Sequence, residues 1–369
     1  MVTILTKGSD SNEHVLTSVT KRKGFATPEI LHLILNRADN ETDYGEIIQS
    51  DLYEGNDFKI HLLNSTESDK DPKKQLLDKI REKSDFKLDP KLEVAQGIVP
   101  NPDIVSNKAL DKISPENQSK YDINAGDGVF VIKKGYLNEL TDEERKYLKP
   151  LYEPYELDRY YFPNSHSKEI IYLTKKNYKN GLNSLIMHLK KFREIMDDRR
   201  ENKNGRLEFF HLHWPRNEKF FNSGPKIFSV RKCKTPTFAY TEKPAYGMLS
   251  VNIIISDRID LKYLLALFNS NLVAFWLKHK GKMQGDQFQV DKTQILEIPL
   301  KNTNDKQPFI DLINQILNIQ NKDLNNEIEN YKKKIESFEI DINKLIYDLY
   351  DLTPDEINIL ESDFEKDGV

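Results

Sequence analysis

Apolar positions change their spacing several times along this chain, and each change marks a different kind of element. In residues 181–200, Leu182, Leu185, Ile186, Leu189, Phe192, Ile195 and Met196 recur at steps of three and four, which predicts one amphipathic helix. Lys190, Lys191, Arg193, Arg199 and Arg200 decorate its other faces. Residues 261–278 are apolar almost throughout and read as a buried helix. Short apolar runs predict strands at 127–133, 169–173 and 249–255, with an edge strand at 295–299 ended by Pro299. Residues 94–106 carry Gly97, Pro100 and Pro102 between apolar pieces, the texture of strands and turns.

The two ends differ from this middle. Residues 2–6 form a short β-type run, expected to be the last strand of a sheet whose other strands lie elsewhere. Residues 29–37 are briefly amphipathic. Residues 39–93 hold 15 acids and 9 bases and read as a polar connector with one helix at 72–84, where Leu76, Leu77 and Ile80 have helical spacing. Beyond residue 305, Phe309, Ile313, Ile316 and Leu317, then Leu324 to Leu349, recur at three to four residues, which predicts a long helix or a helical hairpin with a coiled-coil-like stripe. A terminal helix starts at Thr353 as N-cap, with Pro354 at its first position and Glu356 completing a capping box.

A chain of 369 residues is long enough for two or three domains. It has no run of about 18 apolar residues that could span a membrane and no signal-peptide pattern. The single cysteine, Cys233, excludes an intrachain disulfide and a Cys-rich zinc site, and fits a reducing, cytoplasmic compartment. Net charge is -4, but it is unevenly spread. Residues 305–369 hold 16 acids against 7 Lys/Arg, whereas residues 206–234 hold seven Lys/Arg against two acids. In that basic island the cations alternate with rings such as Phe209, Phe210, Trp214, Phe220, Phe221 and Phe228. Such interleaving suits a surface that meets phosphates and bases. A β-rich core segment with lysines pointing outward would look the same.

No complete catalytic constellation is present. GxxxxGK[ST] and GxGxxG after a strand are both missing. His211 and His213 would share one face of a strand but have no third metal ligand nearby in sequence. Arg231, Lys232 and Lys234 flank Cys233 and would lower its pKa, although a passive or core thiol is the commoner outcome. No PD…ExK pattern stands out, and Asn101-Pro102-Asp103 lacks the second proline and aromatic of a base-flipping amino-methyltransferase motif. What remains is binding, through three cationic patches: residues 206–234, the basic faces of 181–200, and 278–282. The last adjoins Gln284, Gln287 and Gln289. Gln pairs with adenine and Arg or Lys with guanine in the major groove, while other lysines position on phosphate. Gly281 and Gly285 would equally suit a polar hairpin loop.

Five segments, in order, resemble the target-recognition portion of type IIG restriction–modification enzymes and related adenine-specific DNA methyltransferases. They are VAQGIVPNPDIV (94–105), LKPLYEPYELDRYYFPNSHSKEIIYL (148–173), HLKKFREIMDDRRENKNGRLEFFHLHWPRNEKFFNSGPKIFSVRKCKTPTFAY (188–240), LLALFNSNLVAFWLKHKGKMQGDQFQVDKTQILEIPL (264–300) and INKLIYDLYDLTPDEINILE (342–361). Two departures stand out. The family's cofactor-binding and catalytic motifs belong upstream and are missing from this chain. Pro100-Asn101-Pro102 also stiffens a loop where the family usually has glycine, so no contact is carried over to it.

The resemblance implies an α+β fold: a mixed, β-rich target-recognition domain with inserted helices, followed by an acidic C-terminal helical segment. It divides the chain into a remnant of a methyltransferase-like domain at 1–38, the polar connector at 39–91, the recognition domain at 92–300 and the helical segment at 301–369. The expected function is sequence-specific binding of double-stranded DNA, with contacts from Arg216, Lys226, Arg231, Lys232, Lys234, Tyr240, Lys280, Lys282, Gln284 and Gln287. Trp214 and Pro215 are expected mainly to hold the fold. No cofactor is expected in this chain. S-adenosylmethionine and Mg2+ would serve a separate methyltransferase or nuclease domain or subunit. Two alternatives are a metal-dependent nuclease with a cryptic site and a protein-interaction scaffold built on the C-terminal helices.

Overall fold

A computed structural model describes residues 14–22, 24–49, 53–54, 59–60, 71–320 and 328–365. The strand expected at 2–6 lies outside them. The chain divides into two compact units, Met1–Glu82 and Lys83–Val369.

In the first unit, β1 (His14–Thr20) and β2 (Thr42–Ile48) form an antiparallel pair with His14 opposite Ile48 and Thr20 opposite Thr42. The pair therefore joins residues on both sides of position 38. Helix Pro28–Leu35 connects them, with the Thr27 hydroxyl accepting from the Ile30 amide and Pro28 in the first turn. Asp39 locks the base of this connection. It accepts from Arg22 Nε at 3.1 Å and from the Thr42 hydroxyl at 2.5 Å, and these bonds hold its carboxyl down at about 2. None of the side chains of helix Pro28–Leu35 is buried. β3 (Tyr53–Glu54) pairs with β4 (Lys59–Ile60). Helix Pro72–Glu82 forms where its spacing predicted, with Leu76, Leu77 and Ile80 buried.

The second unit contributes β5 (Val94–Gln96), β6 (Val131–Lys133), β7 (Leu148–Tyr152), β8 (Lys168–Ile171), β9 (Lys226–Val230), β10 (Lys232–Cys233), β11 (Phe238–Thr241), β12 (Tyr246–Gly247), β13 (Val251–Ile254), β14 (Met283–Gln284) and β15 (Gln287–Gln289). They form a central sheet in the order β11-β9-β13-β5, a second sheet β12-β7-β8-β6, and a three-stranded ribbon β10-β15-β14. β9 and β13 are buried at every position, as strands covered on both faces must be. One apolar core serves the two larger sheets. Phe162 meets Phe228 edge-on at 5.2 Å, and Phe221 stacks on Tyr246 at the same distance. The end of β5 crosses β12 so closely that a side chain at Gly97 would strike the Met248 carbonyl.

The mixed α+β architecture agrees with the sequence reading, but three elements differ from it. The helix expected at 181–200 is three short ones, Asn183–Lys190, Arg193–Asp197 and Arg200–Lys203. Its last break falls at Arg199, whose backbone is extended and whose side chain turns inward. The apolar run at 261–278 is two helices, Leu261–Phe268 and Asn271–Lys280. Between them Ser270 caps the second helix by accepting from the Val273 amide, and Asn269 braces both the amide and the carbonyl of Phe238. Residues 295–299 are not an edge strand. Helix Lys292–Glu297 ends there, and Leu300 then bridges to Phe86. Three apolar residues in a short run fit either period.

Helices Gln307–Gln320, Ile328–Leu349 and Pro354–Glu365 close the chain. The capping box at Thr353 forms as read, with the Thr353 amide donating to Glu356 at 2.7 Å. The last two helices dock on Asn271–Lys280. His279 meets Asp363 at 2.9 Å, and the Asn271 amide donates to Asn343 at 2.9 Å.

Candidate nucleic-acid interface

Two basic segments that lie some fifty residues apart in sequence become neighbours on the ribbon. Lys232 stands opposite Gln289, Cys233 and Met283 both stand opposite Phe288, and Gln284 stands opposite Gln287. Gly285 takes a positive φ of 65° at the β14–β15 turn, where a left-handed backbone is needed. The ribbon is tied to the central sheet around Val290. The Val290 amide donates to the Arg231 carbonyl at 2.7 Å, and the Asn252 side chain donates to the Val290 carbonyl at 2.9 Å. Lys232, Lys234, Lys282 and Gln284 are exposed, and Gln287 is half-buried. Lys282 lies 4.0 Å from Asp291. Lys280 is half-buried at the last turn of helix Asn271–Lys280, just before the ribbon.

The other expected contacts are arranged differently. Arg231 donates to Asp291 at 2.8 Å and to the Leu249 carbonyl at 2.7 Å, so its guanidinium is committed within the protein. Lys226 is only 1% exposed. Its ammonium donates to the carbonyls of Gly224 at 2.6 Å and Lys243 at 2.9 Å, and burial pushes it down to about 8. Tyr240 sits at the same end of β9, opposite Ile227, and its hydroxyl donates to Glu242 at 2.7 Å. Burial raises that phenol well above its ordinary value. Tyr240 lines a separate cleft with Lys262 and Asn314. Lys226 and Tyr240 are therefore not beside Lys232, from which the length of β9 separates them.

Arg216 lies on another connection. It takes a φ of 64°, donates through Nε to the Gly97 carbonyl at 3.1 Å, and holds its guanidinium 5.7 Å from the Trp214 ring. Trp214 bridges Val99 through its backbone, as a fold-holding residue should, yet its side chain leaves it 51% exposed. Behind it, Arg199 is buried rather than displayed on a helix face. It donates to the carbonyls of Asn101 at 3.1 Å, His211 at 3.0 Å and Phe209 at 2.8 Å. Burial lowers its guanidinium to about 10. This one side chain pins both segments that flank the Val99–Trp214 bridge.

The histidine pair does not converge. His211 accepts on Nδ1 from the Glu208 amide, and burial drives its imidazole down to about 4. His213 lies 2.8 Å from Glu201 instead. Among the described residues, no group of three or more His, Cys, Asp or Glu is placed to hold a metal ion. The Cys233 thiol is pushed up to about 11 by burial, the opposite of what its cationic neighbours suggested. No helix among the described residues is long and apolar enough to cross a membrane.

Sequence reasoning missed two residues beside the ribbon, Pro154 and Leu249. Pro154, Leu249 and Gln289 line an open cleft together with Lys232. Leu249 is 39% exposed, a large apolar side chain among cations. Each comes from a different segment, so no local pattern could mark them.

Comparison with known proteins bears on this region. Residues 175–300 match the model of the TaqI-like C-terminal specificity domain. This segment is a specificity domain. It contains β9 to β15, and so the whole ribbon, together with Trp214 and Arg216. The resemblance to the recognition portion of restriction–modification enzymes thus holds where the cations cluster. By fold the chain is similar to the type IIL restriction-modification enzyme MmeI, solved in complex with DNA, at a TM-score of 0.50 and 11% identity over 77% of this chain. A type IIG restriction endonuclease, BpuSI, aligns at a TM-score of 0.38 and 12% identity over 92% of this chain. The chain spans 36% and 40% of the lengths of these two proteins. No curated protein matches the chain.

Proposed function

We propose that the ribbon and the Trp214–Arg216 connection form the DNA-reading face of a restriction–modification system. The observation that carries this is the union of two basic segments on β10-β15-β14 inside the specificity domain. Lys234 and Lys282 supply the phosphate contacts, with Lys280 behind them. Lys232 is offered with Gln284 and Gln287 to the base edges, and the cation-backed ring of Trp214 to the flank of the duplex. Arg231 acts by holding the Leu249 segment against the ribbon, and Lys226 and Tyr240 by building the far end of the sheet.

In this reading residues 92–300 are the recognition domain and the helices of 301–369 brace it. Adenine methylation, with S-adenosylmethionine as methyl donor, and any Mg2+-dependent cleavage belong to a catalytic partner or domain, all in the cytoplasm. The unburied apolar helix Pro28–Leu35 supports such a partner. Binding of the purified chain to random-sequence and selected duplexes, followed by fluorescence anisotropy across a salt series, tests the proposal. Salt-sensitive binding with a sequence preference is expected. Absence of duplex binding at low salt would overturn it.

A further inference from the structure

The cleft beside the ribbon has a composition unlike its surroundings. Its volume is about 300 Å3, and it is lined by the apolar Pro154, Val230 and Leu249 together with Arg231, Lys232 and Gln289. An apolar cleft on a cationic face matches a ligand that is itself apolar at one point and anionic around it. Its walls are also fixed. The Arg231 amide donates to the Ser250 carbonyl at 3.0 Å, and the Arg231 guanidinium donates to the Leu249 carbonyl while held by Asp291. Gln289 donates from Nε2 to Asp291 at 2.8 Å, which orients its side-chain amide.

A duplex offers one apolar group in its major groove, the 5-methyl of thymine, and the thymine edge carries an adjacent O4 acceptor. We infer that the Pro154–Leu249 cleft takes the 5-methyl group of a thymine, with the Lys232 ammonium donating to its O4. The inference rests on the DNA-reading proposal and names one base feature within it. Methylated cytosine presents the same methyl group but places an amino donor where O4 would be, which the Lys232 cation disfavours.

The test uses the full chain and its preferred duplex, found by selection. Thymines are replaced one at a time by deoxyuridine, which removes the methyl and keeps O4. At one position binding should weaken by about fourfold, the ratio that one buried methyl supports. In Leu249→Ala that penalty should vanish, while the salt dependence and thermal midpoint match the parent chain. Lys232→Gln, at an exposed position, should instead lose discrimination between thymine and 5-methylcytosine there. A preferred site without thymine overturns the inference. So does a chain indifferent to every deoxyuridine replacement, a penalty that persists in Leu249→Ala, or equal affinity for 5-methylcytosine in the parent. Duplex binding with any of these results leaves the DNA-reading proposal standing. Loss of duplex binding altogether defeats that proposal instead.

Discussion

Lys226 and Lys232 lie six positions apart on one continuous stretch of backbone, yet they meet opposite environments. Lys226 is enclosed, its ammonium spent on two carbonyls. Lys232 has left the central sheet for the ribbon and is exposed to solvent. A charge count over the segment weighs them equally. What separates them is the position of the strand: β9 lies between β11 and β13, where both faces are covered, whereas β10 has a single neighbour, β15. A basic island is therefore two things at once here, part internal scaffold and part outward surface.

The contrast can be broken most sharply at the ribbon. Lys232→Ala with Lys234→Ala should weaken duplex affinity more than tenfold at moderate salt. The slope of log K against log salt should flatten by about 0.9, the loss of the Lys234 phosphate contact. An unchanged slope in the salt titration would remove the ribbon from the interface. Arg199→Met comes next. It strips the donor from the buried His211 carbonyl, worth about 1–3 kcal/mol, and from the part-buried carbonyls of Asn101 and Phe209. Calorimetry should show a lowered thermal midpoint, and Trp214 emission should change with it.

Lys226→Ala probes the other side of the comparison. Leaving the Gly224 and Lys243 carbonyls without a donor should cost about 1–3 kcal/mol of stability in denaturant unfolding. The salt slope of DNA binding should match the parent's, whereas a flattened slope would place Lys226 on the surface after all.

The smallest effect is the pH response of the buried His211. Its imidazole is held neutral, down at about 4 from an ordinary 6.5, so the unfolded chain binds a proton that the folded chain refuses. The stability tied to this group is complete above about 6.5 and is lost as the pH falls towards 4. His211→Asn should make the thermal midpoint less dependent on pH within that window. An identical dependence in parent and variant would show that other groups govern acid unfolding.

Much of the fold could be read from spacing. The helix at 72–82, the strands within 127–133, 169–173 and 249–255 and the capping box at Thr353 all follow local rules of period and terminus. The breaks at Asn269-Ser270 and at Arg199 did not, because both depend on side chains that reach distant backbone: Asn269 to Phe238, and Arg199 to Asn101. The candidate site was half legible for the same reason. Its cations were visible as clusters, but only strand pairing shows that residues 231–234 and 282–289 share a surface. The apolar cleft could not be foreseen, since Pro154 and Leu249 are brought to the ribbon only by the fold.

The join of the ribbon at Val290 has an evolutionary consequence. Residues facing away from β10, β14 and β15 can be exchanged without disturbing β9 or β13, because the join at Val290 uses main-chain groups and one buried asparagine that those exchanges leave alone. On the proposed DNA-reading role, new sequence preferences would arise by drift in a few outward codons while folding stays under separate selection. Such a module is suited to diversify faster than the scaffold that carries it.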